Sequence, residues 1–165
     1  MVAGKKAMQT PSDYEARAEL MIDSSLSHDG LTGLGKKFSF VVHPLEHAVS
    51  GYKSDVTHGA GIAICYLGWS RYVCEKAPAK FAKLARRLFN IKVEDDKKAA
   101  IMGVNAMREF YLSIGMPTSL REVGITDIDL PKLAALASGN GTRVVGCCPQ
   151  SLNEQDIEAI YRLCL

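Results

Sequence analysis

From residue 58 to residue 75 the chain reads HGAGIAICYLGWSRYVCE, a stretch in which nearly every position is apolar or small. At about 1.5 Å of rise per residue this is a helix roughly 27 Å long. A helix that is apolar on most sides has no face to give to water, so other elements must surround it. The fold is therefore built around a central helix. The 165 residues are enough to supply that surround as one domain, without disulfides or a structural metal.

The flanking sequence predicts more helices. Ser12 followed by Glu15 has the spacing of a capping box, opening a helix over residues 14–26 with Ala16, Leu20 and Met21 on one side. Gly30, Gly33 and Gly35 break the pattern after it. A helix is expected from about residue 38 to residue 52, with Pro44 near its start or kinking it. A polar turn over 53–57 leads into the central helix. Further helices are predicted over 78–90 and over 95–114, the latter closed by Gly115 and Pro117, with shorter runs near 119–123 and 130–138. Only residues 143–148 suit a strand. Ser151 with Glu154 forms a second capping-box pattern before a last helix carrying Ile157, Ile160, Tyr161 and Cys164 on one face. The fold class is all-α, a helical bundle forming a single domain over 1–165.

Composition excludes several function classes. Apolar residues make up 47% against 23% charged, so the chain buries a core and is not disordered. The net charge is +2, with basic and acidic residues interspersed, and no nucleic-acid partner is implied. The densest basic stretch, 80–87, interleaves with Phe81, Leu84, Leu88 and Phe89 at helical spacing, as on a solvated helix face. Five scattered cysteines without CxxC spacing suit a reduced, cytoplasmic chain. Cys147 and Cys148 are adjacent and stand either as a redox pair or as tolerated thiols. The apolar stretch 59–67 is too short to span a bilayer, so no membrane association is expected.

Three of the four histidines, His43, His47 and His58, fall in the window HPLEHAVSGYKSDVTHGAG. His43 and His47 are four apart and share a helix face, while His58 lies across a turn and can come back toward them. From spacing alone two readings stand: a metal or catalytic site, or histidines that cap helices and bond carbonyls at a turn. Imidazole serves Fe, Zn, Ni and Cu alike, so the ligand type selects no metal.

The pattern HxxxHxxS, a short loop and HGxGxA resembles the metal-binding signature of iron-containing alcohol dehydrogenases, in particular the butanol dehydrogenase-like branch. SDYEARAELM, LGWSRYV, FAKLARRLFNI, FYLSIGMPTSLREVGI and SLNEQDIEAIYRLCL resemble that branch in the same order, so the likeness covers essentially the whole chain. It implies the carboxyl-terminal helical domain, of the dehydroquinate synthase-like α-domain type. In such enzymes this domain completes a metal site with an amino-terminal α/β domain that binds NAD(P). By this resemblance His43 and His58 are metal ligands, and His47 is a catalytic residue that relays a proton beside them. The implied ion is Fe²⁺, with Zn²⁺ able to substitute, acting as a Lewis acid on the alcohol while hydride passes to NAD(P).

The sequence departs from the family in several places. The loop between His47 and His58 is about one residue longer than usual, and Phe40 stands where Trp is frequent. The upstream Asp and His that supply two further ligands in the family are not in this sequence, and neither is a GxGxxG dinucleotide motif. GLTGLG at 30–35 has the spacing GxxGxG and follows a helix, unlike a phosphate loop. NAD(P) is thus expected only through a missing domain or a separate nucleotide-binding chain, and the 165 residues alone are expected to be inactive. The exposed cleft is expected to favour a homo-oligomer. The competing reading is a non-catalytic remnant that binds metal weakly or serves as an interaction module.

Overall fold

A computed structural model of the chain describes residues 1–36, 39–147 and 149–165. The described residues form eight α-helices and no strand: α1 (Val2–Gln9), α2 (Tyr14–His28), α3 (Val42–Tyr52), α4 (His58–Cys74), α5 (Pro78–Phe89), α6 (Asp96–Ser113), α7 (Leu130–Ser138) and α8 (Glu154–Leu163). The all-α class predicted from periodicity is what the chain adopts. Where residues 143–148 suited a strand there is a single antiparallel bridge, Val145 with Leu152; Cys148 lies outside the described residues. No helix among the described residues is long and apolar enough to cross a membrane.

The chain divides into two compact units, residues 1–38 and 39–165. In the first, α1 packs on α2 and Lys6 pairs with Asp13 at 2.8 Å. The cap of α2 is Asp13, whose carboxylate accepts from the Ala16 N–H at 2.8 Å, not the expected Ser12. Either side chain can cap, and Asp13 is the one engaged. Of the predicted apolar face of α2 only Ala16 is buried; Leu20 and Met21 are exposed.

The second unit is organised around α4, as the apolar run demands. It packs against α3, α5, α6 and α8. Ile64, Cys65, Leu67 and Val73 are almost wholly buried on different sides of it. Close approach to α8 is possible because position 68 is glycine: a Cβ there would meet the Cys164 thiol and lie 2.8 Å from the Ile160 carbonyl oxygen. The face of α8 read from sequence, Ile157, Ile160, Tyr161 and Cys164, is the buried one. Each fully buried large side chain of this kind contributes about 1.5–3 kcal/mol. The cap of α8 is Asn153 in a reciprocal capping box with Asp156, two residues on from the predicted Ser151 and Glu154.

Two details set up the site. Pro44 is in the first turn of α3, where its missing N–H costs no helical hydrogen bond, so it marks the helix start and not a kink. In the turn between α3 and α4 the Val56 N–H donates to the Lys53 carbonyl at 3.1 Å and the Val56 side chain is buried. That anchors α4 so that its first residue is His58, following Thr57 in extended conformation.

Candidate metal centre

The three histidines predicted to act together do come together. Ring centroids lie 5.3 Å apart for His43 and His58, 5.7 Å for His47 and His58, and 6.0 Å for His43 and His47. His43 is half-buried, with the Phe40 ring edge-on at 5.0 Å, while His47 and His58 are exposed. Two imidazoles bound to one ion at about 2.1 Å with roughly tetrahedral angles have centroids about 5–5.5 Å apart. The His43–His58 pair has that spacing, and the two pairs that include His47 are wider.

A fourth group belongs to the cluster that the histidine pattern did not reveal. Glu46, next to His47 in sequence, is fully buried. Its Oε2 is 2.5 Å from His58 Nδ1 and 3.8 Å from His47 Nε2. Its Oε1 has no hydrogen-bond partner among the described residues. Donor atoms of Glu46, His47 and His58 all lie within 4.8 Å of one another. A buried carboxylate is costly unless cationic or donor groups compensate it. Imidazole nitrogens with a carboxylate behind them are a donor set that suits a divalent transition-metal ion. The residues present thus fit such an ion, and the neutral imidazoles alone do not distinguish Fe from Zn.

Gly61 makes room for the carboxylate. It lies three residues after His58, on the same face of α4. A Cβ at position 61 would stand 2.7 Å from Glu46 Cγ and 3.1 Å from Oε1. The sequence HGAG therefore supplies both an imidazole and a bare patch of backbone. Beneath the cluster, the Tyr161 phenol donates to the Leu45 carbonyl at 2.7 Å, and burial pushes its pKa well up. The Cys65 thiol is also raised, first by its hydrogen bond with Cys164 and then by burial. Beside His47 is a pocket of about 280 Å³ lined by Pro44, His47, Ala48, Gly51, Leu136 and Arg143.

GLTGLG carries a 3₁₀ turn, Leu31–Gly33, in the first unit. His28 ends α2, with its Nδ1 3.0 Å from Ser27 Oγ. Cys147 is half-buried.

The chain is similar to known proteins along nearly its whole length. The chain is 37% identical to NADH-dependent butanol dehydrogenase A of Clostridium acetobutylicum, a match covering 96% of this chain and 41% of that protein. It is 30% identical to a probable NADH-dependent butanol dehydrogenase of Bacillus subtilis, over 97% of this chain and 41% of the relative. The crystal structure of NADH-dependent butanol dehydrogenase A from Thermotoga maritima superposes with a TM-score of 0.90 at 28% identity, covering 96% of this chain and 41% of that one. The chain thus spans about two fifths of the length of these relatives. Residues 2–165 match the family described as Fe-containing alcohol dehydrogenase family, C-terminal. The chain belongs to the iron-containing alcohol dehydrogenase family and corresponds to its carboxyl-terminal, all-helical domain.

Proposed function

We propose that this chain is the metal-binding helical part of an NAD(P)-dependent alcohol dehydrogenase that interconverts primary alcohols and aldehydes. His43 and His58 hold the ion, Fe²⁺ with Zn²⁺ as a substitute, and His47 relays a proton. The observation that carries this reading is the 5.3 Å separation of the His43 and His58 rings, brought from two helices to the spacing of a shared ion. When bound, a divalent ion supplies Lewis-acid polarisation of the substrate oxygen.

The residues of the chain supply the rest of what is proposed. His47, exposed beside the pair, exchanges a proton with solvent or substrate at Nε2, the nitrogen nearest Glu46. Pro44, Ala48 and Leu136 offer an apolar wall to a short alkyl chain. The nicotinamide is held by a nucleotide-binding domain or chain, and the 165 residues alone are inactive because hydride transfer needs that cofactor fixed against the substrate. Relatives named as NADH-dependent butanol dehydrogenases support this substrate class.

A chimera tests the reading. The corresponding region of the Clostridium acetobutylicum enzyme is replaced by this chain, and butyraldehyde reduction by NADH is measured with Fe²⁺ under anaerobic conditions. Turnover that is lost on His58→Ala is the expected result. A folded, metal-loaded chimera without turnover would overturn the catalytic reading, and turnover by the 165-residue chain alone would overturn its dependence on a nucleotide-binding domain or chain.

A further inference from the structure

We propose that Glu46 is a positioning residue for this metal centre: it accepts the Nδ1 proton of His58 and so fixes the tautomer and ring orientation that leave Nε2 free for the ion. The proposal rests on the reading of His58 as a ligand.

Distances decide between a shared proton and a shared ion. Two donor atoms bound to one ion at about 2.1 Å are roughly 3.0–3.4 Å apart for angles between octahedral and tetrahedral. Glu46 Oε2 and His58 Nδ1 are 2.5 Å apart, too close to be co-ligands and within hydrogen-bonding range. The two ring nitrogens point away from each other, so an ion on His58 must take Nε2. At 3.8 Å the same oxygen is beyond hydrogen-bond range of His47 Nε2, so its partner is His58 and not His47.

Burial makes the arrangement specific. Glu46 is fully buried, while His58 is exposed at the start of a helix, and the Glu46 carboxylate is its hydrogen-bond partner among the described residues. Gly61 leaves the space the carboxylate occupies, and any side chain there would push it off. A carboxylate behind a ligating imidazole sets its orientation and raises its basicity.

The test uses the ¹⁵N-labelled 165-residue chain. Long-range ¹H–¹⁵N correlation of the imidazoles, followed upward in pH until the ring shifts stop changing, should find the His58 proton on Nδ1 in the metal-free protein. Glu46→Leu should move it to Nε2, the form an unrestrained side chain favours. Co²⁺ titration followed by visible absorption should give about 10–100-fold weaker binding in Glu46→Leu, with partial rescue in Glu46→Gln, which keeps an acceptor. A His58 proton on Nε2 in the unaltered chain overturns the proposal whether or not a variant folds. So does a folded Glu46→Leu with unchanged Co²⁺ affinity and spectrum. If the unaltered chain binds no Co²⁺, the metal reading fails instead, and the tautomer still reports whether Glu46 orients His58.

Discussion

Tyr161 on α8 donates its phenolic hydrogen bond to the backbone carbonyl of Leu45 on α3, at 2.7 Å and out of reach of water. Leu45 lies between His43 and His47 in sequence, so this bond ties the histidine-bearing helix to the last helix of the chain. Tyr161→Phe removes the bond and keeps the ring. The expected loss is about 1 kcal/mol, read as a lower urea midpoint with an unchanged slope. An unaltered midpoint would mean that the bond adds nothing to the packing.

Gly68 is a point of close approach between α4 and α8. In Gly68→Ala the new methyl group meets the Cys164 thiol and the Ile160 carbonyl, and a backbone atom cannot swing aside. Overpacking of this kind costs about 1–3 kcal/mol. Thermal melting should therefore show a clear drop in Tm, whereas Gly59→Ala, with nothing within 4 Å of the added carbon, should not. Equal Tm values for the two would contradict the assigned helix contact.

The central helix, the caps region by region and the histidine window were legible in the sequence because each is a local pattern. Glu46 was not. An acidic residue in a helix ordinarily faces water, and its burial follows only from the way Gly61 of α4 lies against α3. α1 was missed because residues 2–9 present no apolar stripe; only Ala3 is buried. The cap positions moved by one or two residues where neighbouring side chains compete for the same N–H groups, as Asp13 does with Ser12 and Asn153 with Ser151. The apolar face predicted for α2 exists, but burial does not follow from periodicity alone.

Tyr52 at the end of α3 donates to Asp129 at 2.6 Å. This bond, with the Thr126 N–H, holds the Asp129 carboxyl below its ordinary value. A carboxyl whose folded pKa is depressed stabilises the fold above its unfolded pKa, and that contribution is lost as pH falls through the folded value. Tyr52→Phe should thus lower Tm above about pH 4, and the gap to the unaltered chain should close as the pH falls further. A gap of constant size from neutral to strongly acid pH would assign the effect to something other than Asp129.

Leu20, Met21, Ile22 and Leu26 are exposed apolar side chains distributed around α2. Surfaces of that kind favour association. Sedimentation across a concentration series should show a dimer or larger species, weakened by Met21→Lys with Ile22→Lys. A strictly monomeric chain that also fails to bind a hydrophobic dye would remove self-association from the account.

The central claim is that His43 and His58 hold one metal ion between α3 and α4. Calorimetric titration of the 165-residue chain with Fe²⁺ under anaerobic conditions, repeated with Zn²⁺, addresses it directly. Two imidazoles fill only half of a tetrahedral site, so weak one-site binding is expected, and it should vanish in the His43→Ala, His58→Ala double variant. Binding that is unchanged in that variant would contradict the account.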